Sequence, residues 1–304
     1  MNHKEMYIGC IDARRPLGDL NIAIGDTYVL RTIGAYVPPR DPDVERALNF
    51  AINTRHISRI TVASHADCGA ACACMDQNKA VPHVLDYLSA LDPVRKSVTN
   101  PNRNQALREL EQKIAQQSLE NLMTYDCVRK AVADGKLELR GWLVDIANGH
   151  QHDITHAEHA PVLGETFPPH NPKMILFSGM DPRFSVRNMG LESGEAFIAR
   201  NFDIVPPKKA AIEATLEFAL DVKGVRKVVL AVEEDSILTH YMGAKSKGHQ
   251  FEKRILAQAV ANLRGYPIMH RLNDVQVETW IIDKKGHKHE VQLASPEQTQ
   301  ARSC

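Results

Sequence analysis

No stretch of this 304-residue sequence approaches the roughly 20 consecutive apolar residues of a membrane-spanning helix, and the opening residues Met1 to Met6 hold no apolar leader. No membrane partner is expected, and a cytoplasmic location is. Charge of one sign is also missing, because Lys plus Arg and Asp plus Glu both number 37. That balance argues against nucleic acid as a partner. Cysteine is scarce: the six at Cys10, Cys68, Cys72, Cys74, Cys127 and Cys304 are too few and too unevenly placed for a disulfide framework in a chain this long. Reduced thiols, available as ligands, follow. What is present is ordinary for a globular protein, with 43% hydrophobic residues and a length that suggests two domains.

Against this background one stretch stands out. Ile60-Thr61-Val62-Ala63-Ser64 is a β-branched run that stops at His65, and Cys68 follows three residues later. Such a run reads as a buried parallel strand, with a His-x-x-Cys at its carboxyl end. A second short apolar strand, Met6 to Gly9, ends in Cys10 and is followed by Asp12 and Arg14. If both strands share one parallel sheet, their carboxyl ends lie side by side, where open α/β sheets place their sites. Cys10, His65 and Cys68 then make a Cys2His metal site with one position open, the pattern of a catalytic zinc. Two thiolates donate more charge to the metal than three imidazoles do, so activity is expected to rise toward alkaline pH. Cys72 and Cys74 could extend the thiolate set, but their neighbours Ala70, Ala71 and Ala73 read more simply as close helix packing.

Cys10-Ile11-Asp12-Ala13-Arg14 together with His65-Ala66-Asp67-Cys68-Gly69 resembles the zinc signature of the β-class carbonic anhydrases. Gly25 to Arg31, Ser118 to Leu122 and Gly141 to Asp145 continue the resemblance, which covers about residues 6 to 149. It implies a mostly parallel sheet flanked by helices, and one Zn2+ held by Cys10, His65 and Cys68. It also implies reversible hydration of CO2 to bicarbonate by zinc-held hydroxide. Arg14 would pair with Asp12 and keep that carboxylate pointed at the water, the family's alternative being a closed, inactive state with Asp12 on the zinc, while Gly69, Arg31 and Gly34 would border the substrate pocket. Arg31 to Ala35 keeps the family's arginine and glycine and lacks its asparagines.

In chain order, Val44 to Thr54 carries apolar residues at helical spacing, residues 70–92 are expected helical with an interruption at Pro82, and residues 93–104 are expected as loop. Residues 105–134 are expected helical and Leu137 to Ile146 a strand. Residues 150–172, with His150, His152, His156, His159, His170 and several prolines, read as a solvated linker, although histidine-rich tracts can also take up metal.

The second half repeats the first. Gly179, Asp181 and Arg183 fall on Cys10, Asp12 and Arg14; Gly194 and Arg200 on Gly25 and Arg31; Glu233 and Ser236 on His65 and Cys68. Glycine has no donor atom and a serine hydroxyl is a poor zinc ligand, so this copy is expected to hold no zinc. A harder cation on Asp181, Glu233, Glu234 and Asp235 is the alternative there. The expectation is therefore α/β, with two β-carbonic-anhydrase-like domains: residues 1–149 with zinc, residues 173–293 without, and a tail at 294–304. The two would pack as an intrachain pseudo-dimer, with further homo-oligomerisation open. Two other functions share these residues, a COS or CS2 hydrolase and a non-enzymatic zinc-containing scaffold or sensor.

Overall fold

The β-branched run around Val62 lies in strand β3 (Arg59–His65), whose residues from Ile60 onward are all buried. In the computed structural model, which describes residues 4–23, 25–77, 81–183, 189–236 and 249–293, β3 pairs in parallel with β1 (Glu5–Cys10) and with β4 (Glu138–Val144). A strand covered on both faces needs no polar alternation. β2 (Thr27–Thr32) lies parallel to β1 on its other side, and the short antiparallel β5 (Gln151–Asp153) closes the edge beyond β4.

The later residues build a second arm in the same manner. β6 (Met174–Ser178) lies between β7 (Ala196–Arg200) and β8 (Lys227–Glu233), β9 (Gln276–Ile282) is parallel to β8, and β10 (Lys288–Glu290) is the antiparallel edge. All ten strands form one sheet in the order β10-β9-β8-β6-β7-β2-β1-β3-β4-β5. Read from either end, the order assigns the same roles. The arms meet where β2 and β7 run antiparallel, through the single register pair Arg31 and Arg200. An isolated bridge between Asp12 and Phe197 extends this seam, and the Ile198 N–H donates to the Ile11 carbonyl at 2.8 Å.

Helices cover the sheet. In α1 (Pro42–Asn49) the proline takes the first turn, and the Asp41 carboxylate accepts from the Asp43 and Val44 N–H groups. The helix expected to reach Thr54 widens after Asn49 into a π-helical turn, Phe50–Thr54, which turns three successive residues, Phe50, Ala51 and Ile52, inward. Residues 70–92 divide into α2 (Gly69–Asp76) and α3 (Pro82–Tyr87), so Pro82 starts a helix as well as interrupting one. Part of the expected loop, Asp92–Lys96, is the short helix α4. The expected helix 105–134 is two, α5 (Arg103–Leu122) and α6 (Asp126–Ala133), because Tyr125 turns extended and its hydroxyl bonds to the Asp41 N–H and the Pro38 carbonyl.

The second arm carries α7 (Ala210–Leu216) and α8 (Gln250–Arg264), and α3 packs against α7 across the seam. Local devices recur in matching places. Asn121 Nδ2 donates to the Val37 carbonyl at 2.9 Å and Asn262 Nδ2 to the Val205 carbonyl at 2.8 Å, while the Tyr266 hydroxyl bonds to Pro206 as that of Tyr125 does to Pro38. The tract expected as a solvated linker is not solvated throughout. Its histidines 150, 156 and 159 are exposed, but Ile154 is buried and Phe167 to His170 return to line a cavity beside Cys10. The tail 294–304, with Cys304, lies outside the described residues. Among the described residues no helix is long and apolar enough to cross a membrane.

Candidate metal centre and catalytic pocket

β1 and β3 run side by side with Gly9 opposite Ala63, which brings Cys10 and His65 to one edge of the sheet. Asp67 then takes the left-handed conformation, φ 57°, and turns the chain so that Cys68 returns at the start of α2. The donor atoms of Cys10, His65 and Cys68 all lie within 4.8 Å of one another, and all three residues are buried. His65 Nδ1 is 2.9 Å from the Ala66 carbonyl, which fixes a proton on that nitrogen. Its Nε2 is buried with no hydrogen-bond partner among the described residues. An imidazole held by one nitrogen, with the other aimed at two thiols, is the arrangement a metal-ligating histidine requires.

The electrostatics agree. Burial pushes the Cys10 thiol up, but the hydrogen bond from Cys68 and the charge on His65 outweigh it, so its pKa lies well below the ordinary value. Cys68, bonded to Cys10 and buried, lies well above. Burial lowers His65, yet Cys10 and Asp12 carry it up to about 9. Without a metal the cluster thus holds protons in the place a divalent cation would take, and the donor set suits Zn2+.

Asp12 follows Cys10 and is clamped by Arg14. Arg14 Nε lies 3.1 Å from Oδ1 and 3.0 Å from Oδ2 of Asp12, Nη2 lies 2.7 Å from Oδ2, and the Arg14 N–H donates to Oδ1 at 3.0 Å. Arg14 also reaches Asp67, with Nη1 on the carboxylate at 2.8 Å and Nη2 on the carbonyl at 2.9 Å. Burial works against the Asp12 charge, but His65, His170 and Arg14 more than offset it, and its pKa lies well below the usual carboxylate range. Oδ2 of Asp12 stands 4.0 Å from His65 Nε2. The carboxylate is thus held by Arg14 and lies beside the imidazole of the cluster.

Asp12 and Arg14 line a cavity of about 510 Å3 together with Cys10, Asp67 and Gly69. Of the residues expected to border it, Gly69 does. Arg31 and Gly34 are not in its lining: Arg31 is buried beneath and donates to the Cys10 and Asp12 carbonyls at 2.7 and 3.2 Å, and Gly34 forms a left-handed turn, φ 69°, after β2. Several lining residues had no signal in the motif. Phe197, Phe218, Val222 and Lys223 come from the second arm, and Phe167, Pro168 and His170 from the connection. Glu111 of α5 lies behind the site and accepts the Cys68 N–H at 2.8 Å, and burial pushes its carboxyl up to about 8. Cys72 lines the cavity, but neither it nor Cys74 joins the metal cluster.

At the matching place in the second arm an Asp–Arg pair stands without a Cys2His donor set. Arg183 Nη2 lies 2.7 Å from Asp181 Oδ2, and it donates to the Asp235 carbonyl at 3.0 Å as Arg14 does to that of Asp67. Gly179 stands where Cys10 does, and a Cβ added there would lie 3.4 Å from Glu233 Oε2. Glu233 is buried and pushed up to about 8 by burial, then by Asp181, and its Oε1 has no hydrogen-bond partner among the described residues. Ser236 is buried. Among the described residues, Asp181, Glu233, Glu234 and Asp235 form no metal-holding cluster; that of Cys10, His65 and Cys68 is the only one.

An α/β sheet with a Cys2His cluster and an Asp–Arg clamp at its carboxyl edge defines a metal-dependent enzyme. Comparison with known proteins carries this further. Residues 5–151 match the family described as "Carbonic anhydrase". Over 155 residues the chain is 31% identical to the carbonic anhydrase of Pseudomonas aeruginosa, covering 48% of this chain and 70% of that one. It is 32% identical over 158 residues to carbonic anhydrase 1 of Escherichia coli O157:H7, covering 48% and 71%. Among solved structures, the β-carbonic anhydrase CafA of Aspergillus fumigatus aligns with a TM-score of 0.48 and 23% identity, over 52% of this chain and 78% of that one. The chain belongs to the β-carbonic anhydrase family, whose members are zinc lyases acting on CO2 and bicarbonate.

Proposed function

We propose that the chain hydrates CO2 reversibly to bicarbonate at one zinc site, held by Cys10, His65 and Cys68, and that residues 173–293 serve as a non-catalytic pseudo-subunit. The observation that carries the first part is the orphaned His65 Nε2, buried within 4.8 Å of two thiols. When bound, Zn2+ supplies the Lewis acidity that makes water nucleophilic near neutral pH. The residues of the chain do the rest. Asp12, ionised and clamped by Arg14, accepts a hydrogen bond from the attacking water and orients it. Arg31 fixes the backbone of Cys10 and Asp12 from beneath. Apolar Ile33, Phe197 and Phe218 in the cavity lining suit a small, uncharged gas.

Three features support the pseudo-subunit. The strand order reads alike from both ends, the second clamp survives without donors, and Phe197, Phe218 and Lys223 complete the wall of the first site. We propose the division at 1–149, 150–172 and 173–293 on the same grounds, together with a duplication origin and one zinc per chain. A cytoplasmic location accords with reduced thiol ligands. The test is stopped-flow CO2 hydration across pH beside elemental analysis, with COS and CS2 as competing substrates. Activity rising toward alkaline pH with one zinc per chain is expected. Stoichiometric zinc with no hydration at any pH, or two zinc ions per chain, overturns the corresponding part.

A further inference from the structure

His170 lies outside the motif, in the connection between the arms, yet its side chain is only 9% exposed and its Nδ1 is 3.3 Å from Asp12 Oδ2. The ring stands edge-on to Phe197 of the second arm, with centroids 4.7 Å apart. Its other nitrogen, Nε2, is buried without a hydrogen-bond partner, so Asp12 is the one polar contact of the ring among the described residues. The adjacent backbone is tied to the same clamp, because Arg14 Nη1 donates to the Pro168 carbonyl at 3.2 Å and the Ser193 hydroxyl donates to the Arg14 carbonyl. A buried imidazole is costly unless its polar atoms are used. Among the described residues, the polar contact this ring makes is with Asp12.

We infer that His170 is a positioning residue for the hydration reaction: it braces Oδ2 of Asp12, the oxygen that Arg14 Nε and Nη2 also hold, and so confines the carboxylate to one orientation. The inference rests on the carbonic anhydrase reading for its kinetic consequence and on geometry alone for the contact. A carboxylate oxygen 3.3 Å from Nδ1 is an acceptor there and favours the tautomer with its proton on that nitrogen. Burial pushes the His170 pKa down, which keeps the ring neutral near pH 7 and leaves that tautomer to make the contact. Asn can place an amide N–H near the Nδ1 position, whereas Ala and Gln cannot.

The experiment uses the zinc-loaded full chain. His170→Ala should lower kcat about ten-fold, with KM and zinc content held, a loss typical of supporting partners around a metal site. His170→Asn should recover most of it and His170→Gln should not. In an Asp12→Ala background, His170→Ala should have no further effect on kcat. Independently of activity, 15N-histidine NMR should report the Nδ1–H tautomer for His170 in the native chain and its loss in Asp12→Ala. An Nε2–H tautomer in the native chain, or equal losses for Ala and Asn with KM rising in step, overturns the inference. A chain inactive toward CO2 that still shows the Asp12-dependent tautomer overturns the proposed reaction and leaves the contact standing.

Discussion

Phe218 of the second arm occupies the space in front of Gly69 at the start of α2: a Cβ on Gly69 would meet Phe218 Cζ at 2.5 Å. Phe218 has little room to retreat, because it is buried and its ring packs edge-on to Phe197 at 5.7 Å. Gly69→Ala should therefore destabilise the chain by roughly 1–3 kcal/mol, as overpacking does, and loosen zinc because Cys68 is the preceding residue. Denaturant unfolding measures the first and metal retention against a chelator the second. Combined with Phe218→Ala, the change should cost less than the sum of the two singles; strict additivity would mean that the added methyl and the Phe218 ring do not meet.

At the metal, function and retention should separate. Asp12→Ala is expected to keep zinc while losing about 100-fold or more in CO2 hydration, the range for a positioned acid–base group. Cys68→Ser is expected to lose the metal itself. Elemental analysis beside stopped-flow rates checks both, and a fully active Asp12→Ala would sink the role given to the clamp.

The buried Glu233 predicts a pH effect on stability. Its folded pKa of about 8 lies above the ordinary carboxyl value of 4.5, so the folded chain keeps a proton that the unfolded chain releases. Its stabilising contribution is full below about pH 4.5 and is lost as pH rises through 8. Glu233→Gln should match the native chain in acid and exceed it by a few kcal/mol, as an order of magnitude, above pH 8. Urea midpoints at pH 5 and pH 9 decide, and an equal difference at both would refute it.

A fragment ending near residue 150 should be poorly soluble and inactive. It would lack His170, Phe197, Phe218 and Lys223 from the cavity wall and leave β2 as an uncovered edge. Coexpression with residues 151–304 should restore activity, whereas a soluble, fully active fragment would defeat the pseudo-subunit reading.

The fold class and the meeting of Cys10, His65 and Cys68 were legible because both depend on local signals: a β-branched run ending in a ligand, and a second strand ending in another. Strand pairing then does the rest. The places of His170, Phe197 and Phe218 were not legible, since the first returns to the site from the connection and the other two come from the second arm, contacts that no spacing along the chain encodes. Arg31 was misplaced for a related reason. The family resemblance placed it at the pocket border, but its guanidinium turns under the strand ends to bond carbonyls. Pro82 was read as an interruption and residues 93–104 as loop, although Pro82 and Pro93 both stand in first turns where the missing N–H costs nothing.

The seam at Arg31 and Arg200 joins two stretches of one polypeptide. In a symmetric pair of identical chains every substitution is written twice, once on each side of the axis, and a residue that improves a wall on one side must be tolerated on the other. Here the two sides are spelled by separate codons. Phe197 and Phe218 face the cysteine pocket while Tyr28 and Phe50 face its counterpart across the seam, a separate cavity of about 660 Å3. Each can change without altering the other, so one pocket can be refined for chemistry while the other drifts toward a different use.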